Sequence, residues 1–151
     1  MEYTPKDLIS HYIYLIHLEL NILNNNLLKD CEITSSQFRV LSCLWVKDGL
    51  TQSEIHEYLG IKPSSISGLI DCLEKKGFLK RVVDKEDARI NRIYLTEKSA
   101  EFKECCWEKA INLNNEILDG FNEEEKEEVK KTLEKLYDNV HKRLLNQNNK
   151  E

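Results

Sequence analysis

The sequence predicts a mainly α-helical chain with one small β-hairpin, an α+β fold. Three observations carry this. Apolar residues recur at three- and four-residue steps along most of the 151 residues. That pattern gives way once, between residues 78 and 95, to β-branched and aromatic residues interleaved with charges. Capping signals and helix-ending glycines cut the helical stretches at definite points.

The first helix is expected over residues 5–28, where Leu8, Ile9, Tyr12, Ile13, Ile16, Leu20, Leu23 and Leu27 hold helical spacing. Leu15, Leu18 and Ile22 widen its apolar face, so it needs cover on most sides, some of it from a second subunit. A second helix is expected over residues 36–46, with Phe38, Val40, Leu41, Leu44 and Trp45 inward and Asp48-Gly49 as its stop. Thr51-Gln52-Ser53-Glu54 reads as a capping box opening a short helix that ends at Gly60. Pro63 opens the next helix, whose face is Ile66, Leu69, Ile70 and Leu73 and whose end is Gly77.

Two helices joined by a tight turn at Gly60-Ile61 form a helix-turn-helix. Residues 78–83 and 91–95 then predict a two-stranded hairpin, a wing, with a polar tip at residues 84–89. A long helix follows from Thr96 to about residue 119, stopped by Gly120. Asn122 and Glu125 cap a last helix carrying Val129, Leu133, Leu136, Val140 and Leu144, with residues 146–151 expected to fray. The expected organisation is residues 1–33 as an N-terminal dimerisation helix, 34–98 as a winged helix-turn-helix, and 99–151 as C-terminal dimerisation helices.

Charge is unevenly spread. The net charge of −5 divides into −4 over residues 1–61, +3 over residues 62–98 and −4 over residues 99–151. A basic block between acidic flanks suits a surface facing phosphates. No apolar run is long enough for a membrane span, and the first residues lack the layout of a signal peptide, so a cytoplasmic protein is expected.

The five cysteines (Cys31, Cys43, Cys72, Cys105 and Cys106) form no CxxC pair and are expected to be mostly reduced and buried, with Cys105-Cys106 as core plus edge. Beside Asp30 and Glu32, Cys31 is expected to have a raised pKa. The four histidines have no metal-ligand spacing, and no phosphate-binding glycine loop or nucleophile elbow occurs. No metal, cofactor or enzymatic activity is predicted.

The motifs resemble the multiple-antibiotic-resistance regulator (MarR) family of transcriptional regulators. The matching stretches are Thr34 with Gln37-Phe38-Arg39-Val40-Leu41, Thr51-Gln52-Ser53-Glu54-Ile55, Pro63-Ser64-Ser65-Ile66-Ser67, and Leu73-Glu74-Lys75-Lys76-Gly77-Phe78-Leu79 with Arg81. Asp84 followed by Asp87-Ala88-Arg89, then Leu95-Thr96, completes them. The resemblance implies an obligate homodimer on a pseudo-palindromic operator, usually repressing, released by a ligand or an oxidant. Three positions depart from the family. Gly68 and Cys72 stand where basic residues are frequent, and Ser99 stands where the family has glycine. No cysteine lies in the first helix, where oxidant-sensing relatives keep theirs, and the helix after the wing lacks the histidine pairs of zinc-sensing relatives.

Double-stranded DNA is the expected partner. The candidate contacts are Gln52 and Ser53 for phosphate, and Ser64, Ser65, Ser67 and Gly68 on the outer face of the recognition helix. Lys62, Lys75, Lys76, Lys80, Arg81, Lys85 and Arg92 supply surrounding charge. Arg89 is expected to reach the minor groove, held by Asp87. Each feature alone has a plainer reading. Serines favour helix starts, lysines complement a helix C-terminus, and an exposed ion pair adds little. A winged-helix module that binds protein instead of DNA is the alternative. A small aromatic or phenolic effector is expected near His11, Tyr14, His17 and Trp45, with Trp107 nearby; ordinary interface residues would have the same composition.

Overall fold

The computed structural model describes residues 4–148. Its helices are α1 (Ile9–Leu27), α2 (Ser35–Val46), α3 (Gln52–Leu59), α4 (Pro63–Lys75), α5 (Glu97–Ile117) and α6 (Glu123–Asn148). Its strands are β1 (Leu50–Thr51), β2 (Leu79–Val83) and β3 (Asn91–Leu95). The expected element order is found, with two corrections. The first helix does not begin at Pro5. Residues Pro5–Asp7 form a separate 3-10 turn, because Asp7 folds back to accept the Thr4 backbone N–H at 2.7 Å and Leu8 is extended. The sheet has three strands, not two, in the order β1-β3-β2. Leu50 pairs with Ile93 and Thr51 with Arg92, an edge too short to show as a periodicity. Helix α6 continues through the residues expected to fray as far as Asn148, and residues 149–151 lie outside the described residues.

The packing forms two compact units, the first ending at Ile111 and the second beginning at Asn112. The core of the first unit is built by Val40, Leu41 and Leu44 of α2, Ile55 of α3, Ile66, Ile70 and Leu73 of α4, and Phe78, Leu79 and Ile93 of the wing. All but Leu44, Leu79 and Ile93 are wholly excluded from solvent, which fixes the two helices of the helix-turn-helix against the root of the wing. Phe78 meets Phe102 edge-on at 5.3 Å, and Cys106 joins the same cluster, so α5 is anchored to it.

Cys31, Cys43 and Cys106 are buried, Cys72 is half-buried and Cys105 is exposed. The Cys31 thiol is pushed up as expected, but for a different reason: burial, not its acidic neighbours, is the leading cause. Asp30 is drawn instead to Lys109, at 3.3 Å. No helix of the described residues is long and apolar enough to cross a membrane. Helix α1 has no buried residue at all, and Ile9, Tyr12, Ile16 and Ile22 are each more than half exposed. In the second unit Leu133, Tyr137, Val140 and Leu144 of α6 are similarly exposed.

Candidate nucleic-acid interface

The turn between α3 and α4 is set by local chemistry. Thr51 is the N-cap of α3: its hydroxyl accepts from the Glu54 backbone N–H at 3.2 Å, and Glu54 accepts from the Thr51 backbone N–H at 2.7 Å. The Thr51 backbone N–H, followed by the Thr51 side chain, holds the Glu54 carboxyl below its usual range. Gly60 ends α3 at φ +62, in the left-handed region that glycine enters without steric cost. His56 Nδ1 bonds Ile61 O, closing the turn, and Gln52 Nε2 donates to Pro63 O at 3.5 Å, tying the starts of the two helices together.

Along α4, Ser64, Ser65 and Gly68 are exposed and Ser67 is half-buried. A Cβ added at Gly68 would meet nothing within 4 Å, so this face lies open. Ser53 at the start of α3 and Lys62, Lys75, Lys80 and Lys85 around the helix and wing are exposed. None of those four lysines has a salt-bridge partner among the described residues.

At the wing tip Arg89 Nε donates to Asp87 Oδ1 at 2.9 Å and Nη2 donates to Oδ2 at 2.8 Å. The fork fixes the guanidinium's direction while leaving the side chain 89% exposed. The Arg89 side chain, then its backbone N–H, lowers the Asp87 pKa. Asp84 organises the turn beneath. Its Oδ1 accepts the backbone N–H of Glu86 at 2.8 Å and of Asp87 at 3.1 Å, while Oδ2 accepts from Arg92 Nε. Arg92, followed by those two N–H groups, pulls the Asp84 carboxyl down to about 2.

Three of the cations read as DNA anchors are engaged within the fold. Arg81 binds Glu74 and Asp71, joining β2 to α4. Arg92 binds Asp84 and donates Nη1 to Gly49 O at 3.0 Å, tying the wing to β1. Lys76 donates Nζ to Glu32 O and, at 3.1 Å, to Gln37 Oε1, so it satisfies buried Gln37. The sequence shows these as charges, but not the carboxylates and carbonyls that converge on them from other elements.

The four effector candidates do not form one site. His11 and His17 are six residues apart, which rotates them by about 120° around a helix of 3.6 residues per turn. His17 lines a cleft of ≈ 630 Å³ with Asn21, Arg39, Ser65 and Gly68 among its walls. His11 instead lies edge-on to Tyr12, and Tyr14 is 60% exposed. Trp45 packs against Phe38 at 6.0 Å and Trp107 at 6.5 Å. Among the described residues, no group of three or more His, Cys, Asp or Glu side chains is placed to hold a metal ion.

Known proteins share this arrangement. The sequence profile of the MarR family matches residues 33–90. An HTH-type transcriptional regulator of Bacillus cereus is 30% identical over 128 residues, covering 84% of this chain and 85% of its own. The HTH-type regulator YwoH of Bacillus subtilis is 30% identical over 120 residues, covering 78% of this chain and 87% of its own. Among solved structures, a MarR protein of Peptoclostridium difficile superposes with a TM-score of 0.87 at 26% identity, covering 95% of each chain. The S. aureus MepR–DNA complex does so with a TM-score of 0.81 at 26% identity, covering 91% of this chain and 99% of that one.

Proposed function

This chain belongs to the MarR family of transcriptional regulators, and from that premise we propose that it is a homodimeric, cytoplasmic repressor that binds a pseudo-palindromic operator in double-stranded DNA. The observation that carries the reading is the wing tip: an exposed guanidinium aimed by Asp87, beyond a helix whose outward residues are small. In this reading residues 34–98 meet DNA. Ser64, Ser65, Ser67 and Gly68 enter the major groove, Gln52 and Ser53 meet phosphate, and Arg89 enters the minor groove. Lys62, Lys75 and Lys85 act on the backbone, while Arg81 and Arg92 hold the wing in position. Residues 1–33 and 99–151 form the dimer, in keeping with the uncovered apolar face of α1. Release follows binding of a small aromatic or phenolic effector, and His17, which lines an open cleft, is a candidate for that role.

The test is an anisotropy titration of the full chain on duplexes it enriches from a random library. The expected result is a linear fall of log K with log salt, at about 0.9 per phosphate neutralised. Salt-independent or absent duplex binding overturns the reading and favours a protein-binding module. Sedimentation is expected to give the mass of two chains; a monomer at micromolar concentration overturns the dimer.

A further inference from the structure

Helix α4 carries little charge of its own where a recognition helix meets DNA. Its only cation is Lys75, its last residue, and its two acids, Asp71 and Glu74, are both held by Arg81. The half that begins at Pro63 presents Ser64, Ser65 and Gly68, with open space over Gly68. A duplex approaching that half meets Lys62 at the N-cap and no positive side chain from within α4 itself.

One cation from another element stands there. Arg39, one turn into α2, lines the same cleft as Ser65 and Gly68. It is exposed, and no carboxylate pairs with it among the described residues. Among the described residues its guanidinium makes one polar contact, a long one, Nη2 donating to Leu59 O at 3.5 Å at the C-terminal end of α3. That bond draws the guanidinium alongside the helix-turn-helix turn and leaves its other donors unused. Arg81 and Arg92 are, by contrast, consumed by Glu74, Asp71 and Asp84. The neighbouring Asn21 and Ser36 in the cleft are neutral, so nothing there cancels the Arg39 charge.

We propose that Arg39 is a DNA phosphate contact, supplying from α2 the positive charge that the first half of α4 lacks. The inference rests on the DNA-binding reading above. A guanidinium at the flank of the recognition helix faces the sugar-phosphate edge of the groove that the helix enters. It gives affinity and register without reading bases.

The test uses the full-length chain and a duplex of about 30 base pairs enriched by the wild type, long enough for two half-sites a turn or two apart. The variants are Arg39→Gln and Arg39→Lys. Glutamine keeps a donor for Leu59 O and loses the charge; lysine keeps the charge. Arg39→Gln is expected to flatten the slope of log K against log salt by about 0.9 per protomer, near 1.8 for a dimer. It weakens enriched and scrambled duplexes alike and leaves the urea midpoint unchanged. Arg39→Lys restores most of the slope. A wild-type slope in Arg39→Gln overturns the proposal, as does a loss confined to one base pair of the site. An altered response to a small aromatic acid with unchanged DNA binding overturns it too. If the wild type itself shows no salt-dependent duplex binding, the DNA-binding reading has failed instead.

Discussion

Replacing Arg81 with glutamine removes a guanidinium held by Glu74 and Asp71, both on α4, while Arg81 itself lies on β2. The side chain is 27% exposed and its partners 37% and 51%, so solvent screens the pair in part. Two charge-assisted bonds would contribute about 1.5–3 kcal/mol each if buried. Screening at this exposure reduces the total to about 1–1.5 kcal/mol. For a chain of this length that corresponds to a melting shift of about 3–5 °C. The measurement is urea unfolding at fixed protein concentration, because association adds to the stability of a dimer. A salt titration of duplex binding runs alongside. The urea midpoint is expected to fall while the salt slope stays at the wild-type value, since no phosphate loses its cation. A slope shallower by about 0.9 per protomer with an unchanged midpoint would refute this reasoning and return Arg81 to the DNA surface.

Arg89→Ala is expected to weaken duplex binding about tenfold or more, since a minor-groove cation is lost, and to leave thermal unfolding where it was; wild-type affinity in anisotropy would count against the wing-tip role. Asp84 has its folded pKa depressed to about 2 from 3.8, so its contribution is fully present above pH 3.8 and is lost as pH falls toward 2. Its carboxyl carbon resonance is therefore expected to show a group still largely ionised at pH 3, and a titration midpoint near 4 would rule that out. Burial pushes the Cys106 thiol up to about 12, whereas Cys105 is exposed. Iodoacetamide at pH 8 is expected to modify Cys105 well before Cys106, and mass spectrometry of the digested chain reads the order.

Features written within a few residues were legible in the sequence. The Thr51–Glu54 box, Gly60, Pro63 and the Asp87–Arg89 fork all act over three residues or fewer, and each has the geometry its spacing implies. What escaped depends on distant partners. Arg81, Arg92 and Lys76 look like free charges until Glu74 and Asp71, Asp84 and Gly49 O, and Glu32 O and Gln37 are brought to them. Arg39 escaped for the opposite reason. It sits within a helix that otherwise supplies core residues, and only the packing of α2 beside α4 puts it at the cleft. Among the effector candidates, a three-residue step taken twice turns by about 120° around the helix, so His11 and His17 leave α1 on different faces.

Thr51 belongs to two elements at once. It is the last residue of β1, paired with Arg92 of β3, and its hydroxyl starts α3 on the next residue. No spacer separates the sheet from the helix-turn-helix, so the two cannot be exchanged as modules. A chimera that grafts a foreign wing at residues 79–95 must also bring a compatible residue 51. A single residue inserted between Leu50 and Gln52 would break either the pairing or the cap. Natural variation among such chains should accordingly be nearly absent where the wing joins α3.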